Sequence, residues 1–191
     1  MPTTPPEIVA TVAGFLCVWL TLRQNIWCWP VGLVQTVIYV WLFWTVRLYS
    51  DVGLQLVYIA LQVYGWHNWL HGGRNKGRLE VSVLSANERL LWVAVGLAGT
   101  AVLGTLMHGL THAALPYWDA AAAALSLVAQ WLMNKKIVES WLFWITVDVL
   151  SVGIYAAKGL YFTSALYGAY LVLATAGLFA WKKTLPGAQA A

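Results

Sequence analysis

Charged residues are scarce in this sequence. Asp and Glu number seven and Lys and Arg eleven among 191 residues, so 9% of the chain is charged, against about 25% in an ordinary soluble domain. Hydrophobic residues make up 61% of the chain, which excludes a soluble globule. We therefore expect an integral membrane protein whose apolar runs leave no room for a soluble catalytic domain.

Cysteine and sequence signatures of catalysis are equally sparse. Cys17 and Cys28 lie in or beside apolar segments, which predicts buried free thiols instead of a disulfide or metal pair. His108 and His112 have metal-ligand spacing, but they fall in a predicted loop with no third ligand nearby. There is no Walker loop, no Gly-Xaa-Gly-Asp string and no basic patch interleaved with aromatics. We expect no enzyme, no cofactor, no metal and no nucleic-acid partner.

Apolar runs recur along nearly the whole chain. The first run is expected to be a retained helix, because Met1–Glu7 contains no Lys or Arg and no cleavage site follows. Punctuation by polar residues, Gly and Pro predicts seven membrane-spanning helices. Their predicted ranges are 6–22, 27–46, 51–71, 88–107, 117–133, 140–157 and 160–181.

Basic residues predict the orientation of these spans. Nine Lys and Arg fall in the segments on one side, whereas Arg47 and Lys158 alone fall on the other. The positive-inside rule then places the N-terminus outside and the C-terminus in the cytoplasm.

When the sequence is compared with itself at one fixed shift, Trp19 aligns with Trp131. We call this shift the repeat offset. The same shift matches Trp29 with Trp141, Gly65 with Gly177 and Trp69 with Trp181, with no gap. Each copy holds three helices, and a fourth helix between them restores the orientation. We predict an all-α membrane protein with parallel three-helix repeats in a 3+1+3 layout, as in transporters with a substrate path between halves. The predicted segments are a first repeat at 1–71, a cytoplasmic loop and linker helix at 72–116, a second repeat at 117–183 and a disordered cytoplasmic tail at 184–191.

The sixth predicted helix carries an ionisable residue near its centre. Trp141, Trp144 and Asp148 are spaced by three and four residues, so they share one helix face, which Ser151 and Tyr155 continue. Such a face can hold a planar cation through cation–π contact and a carboxylate. The alternatives are that Trp141 belongs to an interfacial aromatic belt and that Asp148 bonds a neighbouring helix.

Polar residues on other helices favour a cavity shared by several helices. Gln55, Tyr58 and Gln62 follow one face of the third helix, and Gln130 lies in the fifth. Other acidic residues favour a structural role: Asp119 and the pair Ser50–Asp51 stand where N-terminal helix caps are expected.

Several strings together resemble the PnuC family of bacterial nicotinamide riboside transporters, over essentially the whole range 9–183. The strings are Leu48-Tyr49 leading into Gln55, Tyr64-Gly65-Trp66-His67-Asn68-Trp69, Pro116-Tyr117-Trp118-Asp119 and Trp141-Leu142-Phe143-Trp144-Ile145-Thr146-Val147-Asp148.

The resemblance implies facilitated diffusion of a vitamin precursor across the bacterial inner membrane, through a seven-helix core similar in design to SWEET sugar transporters. It also implies a homotrimer and uptake drawn forward by a cytosolic kinase. The tryptophan motif looks like the family's substrate motif, but Asp148 stands where nicotinamide riboside transporters carry Asn.

The first hypothesis is therefore a uniporter for nicotinamide riboside, a cationic aromatic nucleoside. The expected ring contacts are Trp141, Trp144, Tyr58 and Tyr167, and the expected polar contacts are Gln55, Gln62, Gln130 and Asp148. Thiamine or another nucleoside-like vitamin is the alternative substrate. A membrane sensor or scaffold without solute flux is the alternative from another class.

Overall fold

The computed structural model describes residues 5–110 and 115–185 of the chain. Within these ranges the protein is all-helical, with seven α-helices and one short 3-10 turn at Arg74–Lys76. The α-helices are α1 (Pro5–Leu22), α2 (Cys28–Thr45), α3 (Tyr49–His71), α4 (Ala86–Leu110), α5 (Pro116–Asn134), α6 (Ser140–Ala157) and α7 (Tyr161–Lys182). Seven helices at the predicted positions are confirmed, each end lying within a few residues of its predicted position. That all seven span a membrane stays a prediction. Most of the predicted tail, 186–191, lies outside the described residues.

Five of these helices are long and apolar enough to cross a membrane: α1, α2, α4, α6 and α7. The other two, α3 and α5, fall short because they carry many of the polar side chains of the chain. Gln55 and Gln62 lie in α3, and Gln130 lies in α5.

The helices divide between two compact units, Met1–Glu80 and Val81–Ala191. In the first unit α2 packs against both α1 and α3. Two near-perpendicular indoles, Trp29 of α2 and Trp69 of α3, join that helix pair with ring centroids 5.2 Å apart. Cys17 and Cys28 are both free thiols, as predicted, but only Cys28 is buried and Cys17 is half-buried. The Cys17 thiol donates to the Cys28 carbonyl at 3.2 Å.

In the second unit α5 packs against both α4 and α6, and α6 packs against α7. Glycines allow α4 to approach α5 closely. A Cβ added at Gly96 would lie 2.7 Å from the Leu125 side chain, and one at Gly104 would clash with the Tyr117 ring. Small residues at such positions permit close backbone approach, which is how membrane helices gain packing energy.

The segment before α4 is attached to the turn that precedes α6. The Ser82 amide donates to the Lys136 carbonyl at 3.1 Å, and the Val138 amide donates to the Ser82 carbonyl at 2.9 Å. Leu84, 5% exposed, packs into an apolar cluster with Leu132 of α5. These contacts hold the start of α6 against the rest of its unit.

The two units repeat the same turns at the repeat offset. Helix α6 begins and ends at the positions that the offset assigns to the two ends of α2. Gln24 and its counterpart Lys136 both adopt left-handed backbone, with φ of 53° and 54°. Arg47 and its counterpart Gly159 do so with φ of 61° and 73°.

Cation–π contacts recur at the same offset. Arg23 lies 4.9 Å from the centre of the Trp19 ring, and Lys135 lies 4.9 Å from that of Trp131. These turns and cation–π contacts therefore recur at the repeat offset, although burial differs between some counterparts: Trp27 is 64% exposed and its counterpart Glu139 7%.

The predicted caps at α3 and α5 are wrong. The N-cap residues are Leu48 and Leu115, and neither helix has a side-chain cap hydrogen bond. Asp119 lies in the first turn of α5, where its carboxylate accepts from Lys158 Nζ at 3.1 Å. The acidic residue thus joins the start of α5 to the end of α6, a tertiary contact that local spacing does not reveal.

Replacing Gly177 with Ala tests the α6–α7 packing. An added Cβ would lie 2.6 Å from the Trp141 ring, so we expect the free energy of unfolding to fall by about 1–3 kcal/mol. Thermal unfolding in detergent measures the change. Gly168→Ala, on the same helix with nothing within 4 Å, is the control and should be neutral or slightly stabilising. Equal melting temperatures for the two variants would contradict this packing.

Candidate functional site

The start of α6 is fixed by a buried carboxylate. Glu139, 7% exposed, accepts from the Leu84 amide at 3.1 Å and from Arg89 Nε at 2.9 Å. The Ser140 hydroxyl donates to the Ile137 carbonyl at 2.7 Å. The face of α6 that follows is therefore held at a defined angle within its unit.

The predicted face of α6 is largely buried. Trp141 is 2% exposed, Asp148 5% and Ser151 4%, while Trp144 and Tyr155 are half-buried. A lipid-facing stripe would be exposed along its length, so this face belongs to the interior of the unit.

Trp141 lies at the α6–α7 interface and not at the surface expected of an aromatic belt residue. Its ring stands nearly perpendicular to that of Trp181, with centroids 5.4 Å apart, and it packs over Gly177. Its indole N–H is buried and has no partner among the described residues. Helix packing accounts for its position, and a contact with substrate stays a prediction.

Tyrosines occupy the other end of the same interface. Tyr155 of α6 stacks on Tyr167 of α7, with ring centroids 5.2 Å apart and planes 17° apart, and Tyr167 also contacts Tyr170 at 6.1 Å. Asp148 lies two helical turns from Trp141 and two from Tyr155, about 10 Å each way along α6. The carboxylate therefore lies between an indole pair and a tyrosine cluster.

Asp148 makes no hydrogen bond or ion pair within residues 5–110 and 115–185. The alternative that it bonds a neighbouring helix gains no support from the described part of the chain. An unpaired carboxylate in apolar surroundings costs several kcal/mol unless a partner or water compensates it. Such a group is accordingly poised to accept hydrogen bonds from a ligand, or to face a cationic one.

The other predicted residue of this unit, Gln130, has a local partner. Its Nε2 donates to Asn134 Oδ1 at 3.0 Å, one turn further along α5. Since α5 packs against α6, Gln130 lies on a helix that neighbours the helix of Asp148 in the same unit.

The predicted residues of the first unit lie on α3. Gln55, Tyr58 and Gln62 are all half-buried. Gln62 Nε2 donates to the Thr36 hydroxyl at 2.7 Å, and Thr36 donates in turn to the Gly32 carbonyl at 2.8 Å. Gln62 thus already has a protein partner, and its role toward substrate stays a prediction.

Two polar residues with structural roles, one in each unit, were not predicted from sequence. Thr36 receives the Gln62 amide, and Glu139 organises the start of α6. A signal for Glu139 existed, since an acidic residue directly before an apolar helix needs a partner. Thr36 gave none, because threonine is common in membrane helices and usually bonds its own helix.

His108 lies in the last turn of α4 and not in a loop as predicted, with its ring 6.1 Å from that of Tyr117. His112 lies outside the described residues. Within those residues no three His, Cys, Asp or Glu side chains form a group able to hold a metal ion.

Comparison with known families and proteins gives one consistent result. The family model described as nicotinamide mononucleotide transporter matches residues 4–183. The nicotinamide riboside transporter PnuC of Escherichia coli K12 is 30% identical over 92% of this chain and 84% of its own length. The riboflavin/roseoflavin transporter RibM of Streptomyces davaonensis is 28% identical over 92% of this chain and 83% of its own.

A solved structure supports the fold directly. The crystal structure of the vitamin B3 transporter PnuC superimposes with a TM-score of 0.71 at 28% identity, covering 92% of this chain and 80% of that one. The helical arrangement described here is therefore similar to that of a known membrane transporter.

Replacing Asp148 with Asn should stabilise the ligand-free protein. The amide is easier to bury than an unpaired carboxylate, so we expect a gain of about 1–3 kcal/mol, seen as a melting temperature higher by several degrees. Thr146→Val is the control, because Thr146 is exposed on the same helix and bonds only the Leu142 carbonyl. A lower melting temperature for Asp148→Asn would mean that the carboxylate has a stabilising partner in the protein.

Proposed function

Because the chain belongs to the nicotinamide mononucleotide transporter family, and is thus a membrane transporter and not an enzyme, we propose that its substrate is nicotinamide riboside. The proposed process is facilitated diffusion into the cell across the bacterial inner membrane. The single observation that carries the assignment of a cationic aromatic substrate is the buried carboxylate of Asp148, which has no partner among the described residues and lies one helical turn from the indole of Trp144. The choice of nicotinamide riboside among such substrates follows the relatives.

The chemistry of this face suits a cationic aromatic solute. Nicotinamide riboside holds a fixed positive charge on its pyridinium ring, and a desolvated indole is worth about 2 kcal/mol to such a cation. The carboxylate can face the charge or accept hydrogen bonds from ribose hydroxyls. Tyr167, stacked on Tyr155, offers a further aromatic surface along the same interface.

The proposed architecture is two three-helix repeats, α1–α3 and α5–α7, joined by α4, with all seven helices crossing the membrane. Equal turns at Gln24 and Lys136, and at Arg47 and Gly159, support it. In this proposal Gln55, Tyr58, Gln62 and Gln130 contribute substrate contacts during alternating access.

The distribution of Lys and Arg supports an N-terminus outside and a C-terminus in the cytoplasm. We also propose a homotrimer, and a cytosolic kinase that traps the imported nucleoside. Light scattering of the detergent-solubilised protein would test the assembly, and a monomer alone would contradict it.

A second candidate substrate is thiamine or another nucleoside-like vitamin. Two observations favour keeping it: a relative of nearly equal coverage is a riboflavin/roseoflavin transporter, and Asp148 places a carboxyl group where nicotinamide riboside transporters carry Asn. Thiamine also holds a fixed charge on an aromatic ring, whereas riboflavin is neutral. Binding titrations of the purified protein with all three compounds separate these candidates.

Uptake into proteoliposomes tests the function. The protein should carry nicotinamide riboside down its gradient, and Asp148→Ala should abolish uptake or reduce it sharply. Trp144→Ala should weaken binding by about tenfold or more, because the cation–π contact is lost. Trp41→Ala, which removes an indole 55% exposed, is the matched control and should transport normally.

The outcomes are distinct. Absence of any flux by the unmodified protein would favour a sensor or scaffold. Flux of thiamine alone would move the substrate assignment to the second candidate. Unchanged transport by Asp148→Ala would remove this residue from the site.

A further inference from the structure

The helix bounds of α2 and α6 and the indole pairs that recur at the repeat offset allow the polar positions of the two units to be compared residue by residue. At the repeat offset Thr36 corresponds to Asp148, and Gln62 corresponds to Ala174. In the first unit the two positions are bonded, Gln62 Nε2 to Thr36 Oγ1 at 2.7 Å. In the second unit a carboxylate replaces the hydroxyl and a methyl group replaces the amide.

The two helix pairs carry indole pairs of the same geometry near these positions. Trp29 and Trp69 are nearly perpendicular with centroids 5.2 Å apart, and Trp141 and Trp181 are nearly perpendicular at 5.4 Å. Thr36 lies seven residues after Trp29, and Gln62 lies seven residues before Trp69. Asp148 and Ala174 hold the same positions relative to their own indole pair, two helical turns away on each helix.

The sizes of two facing side chains also differ between the units. Gly32 of the first unit corresponds to Trp144 of the second. A Cβ at Gly32 would lie 2.7 Å from Gln62 Oε1, so glycine is needed where the glutamine reaches across. With Ala174, 2% exposed, in place of that glutamine, the second unit has room for the Trp144 side chain.

We propose that Ala174 is a specificity-determining residue of the transport site, because its short side chain leaves the Asp148 carboxylate without a partner and makes room for Trp144. In the first unit Gln62 donates to the Thr36 hydroxyl and fills the space next to Gly32. A glutamine at position 174 would donate to Asp148 as Gln62 donates to Thr36. This inference rests on the proposed function of Asp148.

The matched pair of variants is Ala174→Gln and Ala174→Met. Both add a side chain of similar length, and only glutamine brings an amide donor, so their difference isolates the hydrogen bond from the added volume. Titrated with nicotinamide riboside and with thiamine, Ala174→Gln should bind the transported compound at least about tenfold more weakly than Ala174→Met. Equal affinities for the two variants would overturn the proposal.

A stability measurement tests the contact without any substrate. Ala174→Gln should melt at a higher temperature than Ala174→Met, and that advantage should vanish when Asp148 is replaced by Ala in both. This double-mutant cycle isolates the coupling between the two positions. An advantage that persists without Asp148, or none with it, overturns the contact.

The two proposals fail in different ways. If the unmodified protein binds neither compound, the proposed function fails while the double-mutant cycle still tests the 148–174 contact. If Asp148→Ala abolishes uptake but Ala174→Gln binds as tightly as Ala174→Met, the proposed function stands and the role of Ala174 is rejected.

Discussion

The cost of burying a polar group among apolar side chains governs this structure. In hydrocarbon each unsatisfied polar group costs several kcal/mol, so membrane helices satisfy their polar side chains internally or expose them to water. The described chain follows this rule at Glu139, which holds Arg89 and the Leu84 amide, and at Gln62, which bonds Thr36. Asp148 is buried without a partner among the described residues, and so are the indole N–H groups of Trp29 and Trp141. Under the proposed function, the substrate supplies the missing interaction at Asp148.

Both units contain the same pair of packed indoles but differ in the polar residues near it. A perpendicular pair of indoles joins α2 to α3 and α6 to α7. Two turns away, the first unit closes the helix interface with a glutamine–threonine bond, and the second leaves a carboxylate beside an alanine. The hydrogen bond between Gln62 and Thr36 satisfies the polar groups at the first interface, whereas the Asp148 carboxylate at the second has no partner among the described residues.

Helix positions were predictable because membrane helices are encoded locally. About 20 apolar residues are needed for each crossing, and the left-handed residues Gln24, Lys136, Arg47 and Gly159 sit in the short turns between such runs. Caps were not predictable. Asp119 has the spacing of a cap, yet its carboxylate pairs with Lys158, 39 residues away, because an ion pair across helices competes successfully with a local backbone bond. His108 was assigned to a loop because the strongly apolar run ends before it, whereas α4 continues to Leu110.

The sequence by itself determined the membrane character, the number of helices, the offset between the repeats and the shared face of Trp141, Trp144 and Asp148. All of these depend on residue type and spacing along one helix, which the helical period converts directly into geometry. Only the tertiary structure decided which polar groups already have partners. In the tertiary structure Trp141 packs against Trp181, and the Gln62 amide donates to Thr36. At the position that corresponds to Gln62, the second unit has the buried Ala174, which has no side-chain amide. These outcomes depend on how neighbouring helices cross, and a pair as distant in sequence as Thr36 and Gln62 carries no local signal of that contact.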